Sequence, residues 1–190
     1  PWALTRAYWR RRIERICTDF LSAEAARQNE IIQSAFEADG KITLSDLNFS
    51  IVARADRIHL RKDQSISLFD YKTGAPPTPA QQRTFDKQLY LMAAIAEEGG
   101  FEAFTPAPVS EAAFIGLGGS GLYCPAPFAE ESVQAAWVEF KTLIAAYQEV
   151  DQGYTPRRAL FKAKDFSQYD QLSRFGEWDI TQDAISLDLL

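Results

Sequence analysis

A chain of 190 residues with 46% hydrophobic and 24% charged content has the composition of one ordinary globular domain with a substantial core, which excludes disorder as its main state. It contains no run of eighteen apolar residues and no apolar signal-like stretch at its N-terminus, so the reading is of a soluble, cytoplasmic protein with no membrane partner. A net charge of -6 weighs against strong unaided binding of nucleic acid, because phosphate neutralisation by Lys and Arg drives most of that binding.

Two local basic groups run against the overall balance: Arg6, Arg10, Arg11, Arg12 and Arg15, then Arg157, Arg158, Lys162 and Lys164. Cys17 and Cys124 form no CxxC pair, which excludes a zinc knuckle and a disulfide framework, and both are expected to be buried as small hydrophobes. The chain opens at Pro1 without a methionine and is helix-like from Trp2, so it reads as a piece of a longer protein.

In chain order, Leu4, Tyr8, Trp9, Ile13, Ile16, Cys17 and Phe20 recur at three-to-four spacing, which predicts an amphipathic helix to about Leu21. A second helix is expected from Ser22, carrying Ile31, Ile32, Ala35 and Phe36 and ending near Asp39-Gly40. Three extended stretches follow at Ile42 to Leu47, Phe49 to Leu60 and Ser65 to Lys72, with Arg61-Lys62-Asp63-Gln64 as the turn between the last two. Thr78-Pro79-Ala80-Gln81 has the capping-box pattern of a helix start, and that helix is expected to run to Gly99-Gly100. A strand around Ala112 to Leu117 and a helix carrying Val133, Trp137, Phe140, Ile144 and Tyr147 complete the order, before a loop-rich tail after Gly153. The whole, 1–190, reads as a single domain of the α/β class. The glycines from Gly116 to Gly121 lack the Lys-Ser/Thr of a phosphate loop and read as a flexible connection. The four tryptophans are expected to serve as core and interface anchors, with Trp178 a candidate for docking on a partner.

Chemistry concentrates in Ala53 to His59 and Phe69 to Gly74. If the hairpin closes around Asp63, Leu60 faces Ile66, Ile58 faces Leu68 and Asp56 faces Asp70, all on one side of the strand pair. Directly opposed residues hold their Cβ atoms roughly 4.5 to 5.5 Å apart, and like charges so placed repel. A divalent cation on oxygen ligands offsets that repulsion, and Lys72, two residues beyond Asp70, falls on the same face. The competing reading makes Asp70 and Lys72 edge-strand surface charges, with Asp56 paired to Arg54 or Arg57. Against it, Ile58, Leu60, Ile66 and Leu68 turn the acid-bearing face toward the core, where unpaired charge is costly.

Arg-Ala-Asp-Arg-Ile from Arg54, Asp-Tyr-Lys-Thr-Gly from Asp70, and Gln88-Leu89 resemble the RecB-type branch of the PD-(D/E)XK nucleases over Phe49 to about Gly100. Tyr71 to Pro77, Gly99-Gly100-Phe101, and Tyr169 to Arg174 with Glu177-Trp178 resemble the C-terminal domain of AddB-type subunits of AddAB helicase-nucleases. The resemblance implies a restriction-endonuclease-like core: a mixed central sheet, with a three-stranded antiparallel meander plus a further strand, flanked by helices. It implies a Mg²⁺-dependent deoxyribonuclease, with Mn²⁺ a possible substitute, acting during double-strand break repair. The implied metal ligands are Asp56, Asp70 and the Tyr71 carbonyl, with Lys72 orienting or deprotonating the attacking water and Gln88 contacting the site or the scissile phosphate. The alternative for Gln88 is a surface position on its helix.

The implied partners are DNA, an AddA-type helicase-nuclease subunit, and the rest of a longer chain. No iron-sulfur cluster is expected, since two cysteines cannot supply four ligands. The chain departs from the pattern at Ala53, where Gly is usual, at His59, where an acid is usual, and at Met92, where Tyr is frequent. The upstream histidine of such nucleases is missing, because His59 falls on the opposite side of its strand from Asp56 and is expected to be exposed or half-buried and structural. A non-catalytic module keeping the fold as a scaffold or DNA clamp is the second functional reading.

Overall fold

The computed structural model describes residues 2–118, 123–153, 168–174 and 176–178. The basic group at Arg157 to Lys164 and most of the tail therefore lie outside the described residues. The chain divides into two compact units, Pro1–Thr142 and Leu143–Leu190.

The first unit opens with one long helix, α1 (Trp2–Gln28), followed by β1 (Ile31–Leu44), a short 3-10 turn, β2 (Phe49–Arg61) and β3 (Ile66–Lys72). Then come α2 (Pro79–Thr84), α3 (Gln88–Glu97), β4 (Val109–Gly116), the two-residue β5 (Cys124–Pro125) and α4 (Val133–Ala146). The five strands form one sheet in the order β1-β2-β3-β4-β5. The first three make an antiparallel meander, β4 lies parallel to β3, and β5 runs antiparallel to β4. This is the mixed α/β sheet, flanked by helices, of a restriction-endonuclease-like core.

Side-chain alternation sends the two faces of the sheet to different helices. On one face Ile58, Ile66, Leu68, Ala112 and Phe114 pack with Leu89, Met92, Ala93, Ile95 and Ala96 of α3 and with Trp137 of α4. Each fully buried Leu, Ile or Phe side chain contributes about 1.5 to 3 kcal/mol, so this layer holds most of the core energy. On the other face Phe69, Ala113 and Ile115 meet Phe20 of α1 together with Tyr71 and Leu117.

The second expected helix does not form. Ser22 lies inside α1, and Ile31 to Phe36 belong to β1, paired along β2 from Ile31↔Arg61 to Leu44↔Phe49. The apolar spacing there imitates a helix because two irregularities hide the strand period. The register slips between Ile31 and Gln33, and Glu37 adopts a positive φ of 49°. Beyond Glu37 the alternation changes phase: Ala35 packs on the core before it, and Ala38, Ile42 and Leu44 after it. β2 changes phase at the matching place, from Ile51, Ala53 and Ala55 to Ile58 and Leu60. Asp56 sits at that change.

The helix from Thr78 starts as expected, with Gln81 N–H donating to the Thr78 hydroxyl at 3.3 Å and Thr78 N–H to the Gln81 carboxamide at 2.9 Å. It stops at Thr84, however, where a single helix was expected to reach Gly99. Asp86 Oδ1 accepts from the Gln88 N–H at 3.3 Å, a local bond that competes with the helix ladder, and α3 begins separately at Gln88. The end of α3 is as expected: Gly99 takes φ 79° just past the helix, and Gly100 N–H donates to Ile95 O at 2.7 Å.

Other expectations change with burial. α1 is helical, but none of its residues is buried, and Trp2 and Trp9 are exposed rather than core. Only Trp137 among these anchors lies fully inside. Cys17 and Cys124 are half-buried. Past the end of α4, the described residues of the second unit are mostly turns, with Trp178 Nε1 donating to Ser173 O at 2.8 Å and Arg174 paired with Glu177 at 2.6 Å. Among the described residues no helix is long and apolar enough to cross a membrane.

Candidate active site

The register expected for the hairpin is the one observed, with Leu60↔Ile66, Ile58↔Leu68 and Arg57↔Phe69 paired. The ladder stops there, one step short of Asp56 and Asp70. In place of the next rung, Asp56 Oδ2 accepts a hydrogen bond from the Tyr71 backbone N–H at 2.8 Å. The two carboxylates thus serve different partners. Asp56 is half-buried and caps the strand backbone, while Asp70, 5% exposed, turns toward α3.

Asp70, Lys72 and Gln88 form a closed set. Lys72 Nζ lies 2.8 Å from Asp70 Oδ2 and donates to Gln88 Oε1 at 2.9 Å, and Gln88 Nε2 donates to Asp70 Oδ1. The Lys72 ammonium also stands over the Phe114 ring, 4.9 Å from its centre. Asp70 and Lys72 share a face because they are two residues apart on β3, and the break between α2 and α3 brings Gln88 to meet them at a helix start. The alternative pairings fail. β3 lies between β2 and β4 rather than at an edge, Arg54 pairs with Glu37 at 3.1 Å, and Arg57 pairs with Glu24. Gln88 is half-buried, and its carboxamide bridges Asp70 and Lys72.

Two features bear on a cation. Asp70 Oδ2 is buried and makes no hydrogen bond, its ammonium neighbour standing close but out of line. A buried carboxylate oxygen with unused lone-pair capacity suits a hard cation, which prefers oxygen ligands. Among the described residues no three His, Cys, Asp or Glu side chains cluster, so an ion here would have to draw on Asp56, Asp70 and the Tyr71 carbonyl, with water for the rest. Mg²⁺ commonly keeps several waters beside one or two carboxylates, and this set fits that habit.

His59 stands on the opposite face, as expected, but it is buried rather than half-exposed, at 1%. Its ring packs against Phe69 with centroids 5.8 Å apart, its Nδ1 lies 2.8 Å from Ser34 Oγ, and its Nε2 accepts from Arg57 Nε. Burial, and then the Arg57 guanidinium, push its pKa down to about 4, so it stays neutral near pH 7.

The chain matches the PD-(D/E)XK nuclease superfamily across residues 2–172. It belongs to that superfamily. PD-(D/E)XK proteins are phosphodiester-cleaving nucleases that generally use divalent metals such as Mg²⁺. An uncharacterized protein of Rickettsia typhi is 27% identical over 127 residues, covering 64% of this chain and 15% of its own length. Similar proteins of Rickettsia bellii (28%) and Rickettsia conorii (27%) match over 100 residues, covering 51% of this chain and 12% of theirs. The chain thus spans a small part of the relatives it matches.

Sequence reasoning missed two features near the PD-(D/E)XK segment. Arg12 of α1 reaches the Thr73 carbonyl, one residue past Lys72, and the Gly118 carbonyl at 3.1 Å, tying together the ends of β3 and β4. Leu117 N–H donates to Lys72 O at 2.7 Å, so this part of the glycine-rich connection is anchored, while residues 119–122 lie outside the described residues. The second feature is the set of buried polar groups around Arg57 behind the site. Its signal was present in the parity of Arg57, His59 and Tyr71, which share the face opposite Asp70.

Proposed function

We propose that this is a Mg²⁺-dependent DNA exonuclease domain, with Mn²⁺ as a substitute ion, that hydrolyses phosphodiester bonds during end processing in double-strand break repair and recombination. In this reading it is the C-terminal nuclease domain of an AddB-type subunit, working in the cytoplasm with an AddA-type helicase-nuclease subunit and the rest of its own longer chain.

The observation that carries the nuclease reading is the buried Asp70, held at Oδ1 by Gln88 and ion-paired at Oδ2 with Lys72. Asp56, Asp70 and the Tyr71 carbonyl are assigned as the cation's ligands. The bound ion supplies stabilisation of negative charge on the phosphoryl oxygens. Lys72 is assigned to orient the attacking water and to offset charge developing at the phosphate, since its ammonium already lies at the carboxylate oxygen. Gln88 holds Asp70 and Lys72 in fixed relation, which limits the reorganisation needed when substrate arrives. The test is cleavage of end-labelled duplex with Mg²⁺ by the full-length, partner-bound protein. Asp70→Ala and Lys72→Ala are expected to abolish this domain's cleavage. Near-normal activity of either would leave the scaffold or clamp reading in its place.

A further inference from the structure

Arg57 is a charged side chain with 3% of its surface exposed. Burial of that degree is tolerated only where protein groups replace water on every side of the charge. Glu24 of α1 forms an ion pair with its Nη1, the Tyr71 hydroxyl accepts from Nη1 at 2.8 Å, and His59 accepts from Nε. Glu24 is fixed in turn by Arg27, one α1 turn further on, at 2.6 Å.

The position of this set matters more than its stability. Arg57 follows Asp56 on β2, and Tyr71 follows Asp70 on β3. The last rung between the strands is Arg57↔Phe69, so beyond it the strands are joined only by what their side chains supply. Two bonds do so, both ending on Tyr71. Its N–H goes to the Asp56 carboxylate, and its hydroxyl goes to the Arg57 guanidinium on the opposite face. Tyr71 is therefore pinned from two directions at the level of the carboxylates, and one pin leads through Arg57 and Glu24 into α1.

We propose that Arg57 is a positioning residue for the carboxylate site: anchored to α1 by Glu24, it fixes Tyr71 and with it the spacing of Asp56 and Asp70. This rests on the reading of Asp56, Asp70 and the Tyr71 carbonyl as a cation site. Buried outer partners of metal ligands commonly change metal affinity by about 10 to 100-fold when removed. Tyr71→Phe deletes one hydroxyl and leaves the backbone carbonyl and N–H in place, so it isolates the pin.

The experiment is calorimetric titration of the protein with Mn²⁺, without DNA, for the wild type, Tyr71→Phe, Arg57→Lys, Glu24→Gln and Asp70→Ala, with melting temperatures of each metal-free protein. Tyr71→Phe is expected to bind Mn²⁺ about tenfold more weakly while staying folded, with a metal-free melting temperature lowered by the Arg57 N–H that loses its acceptor. In cleavage assays the same variant is expected to need about tenfold more metal to reach half of its maximal rate. Arg57→Lys combined with Tyr71→Phe is expected to lose no more than the worse single variant, because both break one path. Wild-type Mn²⁺ affinity in a folded Tyr71→Phe, with binding lost in Asp70→Ala, overturns this inference alone. Mn²⁺ binding that is absent in the wild type, or equal in Asp70→Ala, overturns the cation site itself. If Arg57→Lys or Glu24→Gln fails to fold, Tyr71→Phe still decides.

Discussion

Asp56 accepts a hydrogen bond from the Tyr71 N–H at 2.8 Å where the ladder between two central strands would have had its next rung. A carboxylate in that position has a structural duty as well as the catalytic one assigned to it. Asp56→Ala leaves the Tyr71 N–H without its acceptor and is expected to cost about 1 to 2 kcal/mol of stability along with cleavage. Asp56→Asn keeps an acceptor oxygen, so it is expected to lose cleavage while keeping most of the stability. Urea midpoints alongside cleavage of end-labelled duplex check this. Equal stability losses in the two variants would remove the structural duty.

Asp70 and Lys72 differ in what each leaves behind. Lys72→Ala strands a carboxylate whose side chain is 8% exposed, whereas Asp70→Ala strands an ammonium that is 32% exposed and able to reach water. Lys72→Ala is therefore expected to be the more destabilising change, by about 1 to 3 kcal/mol. Adding Mg²⁺ is expected to recover part of that loss, because the ion replaces the missing positive charge. Thermal melts with and without Mg²⁺ read it out, and a melting temperature of Lys72→Ala that is indifferent to metal is the contrary result.

His59 makes stability depend on pH in a defined direction. Burial first, and the Arg57 guanidinium second, lower its pKa from 6.5 to about 4 in the folded protein, with Arg27 lowering it further and Glu24 opposing them. Between these values the unfolded chain takes up a proton that the folded one refuses. Stability is complete above about pH 6.5 and declines as pH falls toward 4, by up to about 3 kcal/mol. His59→Gln removes the titration, so the stability gap between wild type and variant is expected to narrow on acidification. A gap constant from pH 7 to pH 4 contradicts the assignment.

Gly118 meets backbone, not only a pliable side chain. A Cβ added there would stand 2.1 Å from the Thr73 carbonyl oxygen and 1.7 Å from Arg12 Nη2. Gly118→Ala is expected to cost about 1 to 3 kcal/mol, with a fall in cleavage, because Thr73 follows Lys72. Arg12→Ala, which removes one of the two obstacles, is expected to lessen the cost when combined with it. Additive losses in the double variant would show that the two residues act separately.

DNA affinity is expected to belong mostly to the assembly. With a net charge of -6, the isolated protein should bind duplex weakly at physiological salt, and more weakly still as salt rises. Fluorescence anisotropy measures this. Tight, salt-insensitive binding by this chain alone would favour the clamp reading.

How much was legible in the sequence varied with the kind of order involved. The hairpin register followed from alternation and one turn, and Leu60↔Ile66 and Ile58↔Leu68 pair as that count requires. The capping box at Thr78 and the Gly99 helix end were equally readable, because each is a local backbone requirement. Ile31 to Phe36 were misread because periodicity assumes a regular element. A register slip and the positive φ of Glu37 leave apolar residues at three-to-four spacing in a strand. The direction of the Asp56 side chain was beyond reach for a related reason. It is set by where two strands part, and the place of parting is decided by long-range packing rather than by either strand's own pattern. The buried setting of Arg57 and His59 depends on α1 lying over the far face, which nothing local to their strand announces.

The parallel pairing of β3 with β4 carries a consequence for the order in which the molecule assembles. The antiparallel meander joins neighbours across short turns, whereas Asp70↔Phe114 closes a loop that includes both short helices. Loop closure of that length is slow relative to hairpin formation, so the meander is expected to form first and the crossover to dock afterwards. Gln88 travels with the crossover. Until it arrives, Asp70 and Lys72 lie on a strand with one flank open to water, so the chemistry of the site is completed by the last central strand to join. Pulse-labelling hydrogen exchange during refolding is expected to protect the Ile58 amide before that of Phe114, and simultaneous protection would mean that the sheet assembles as one piece.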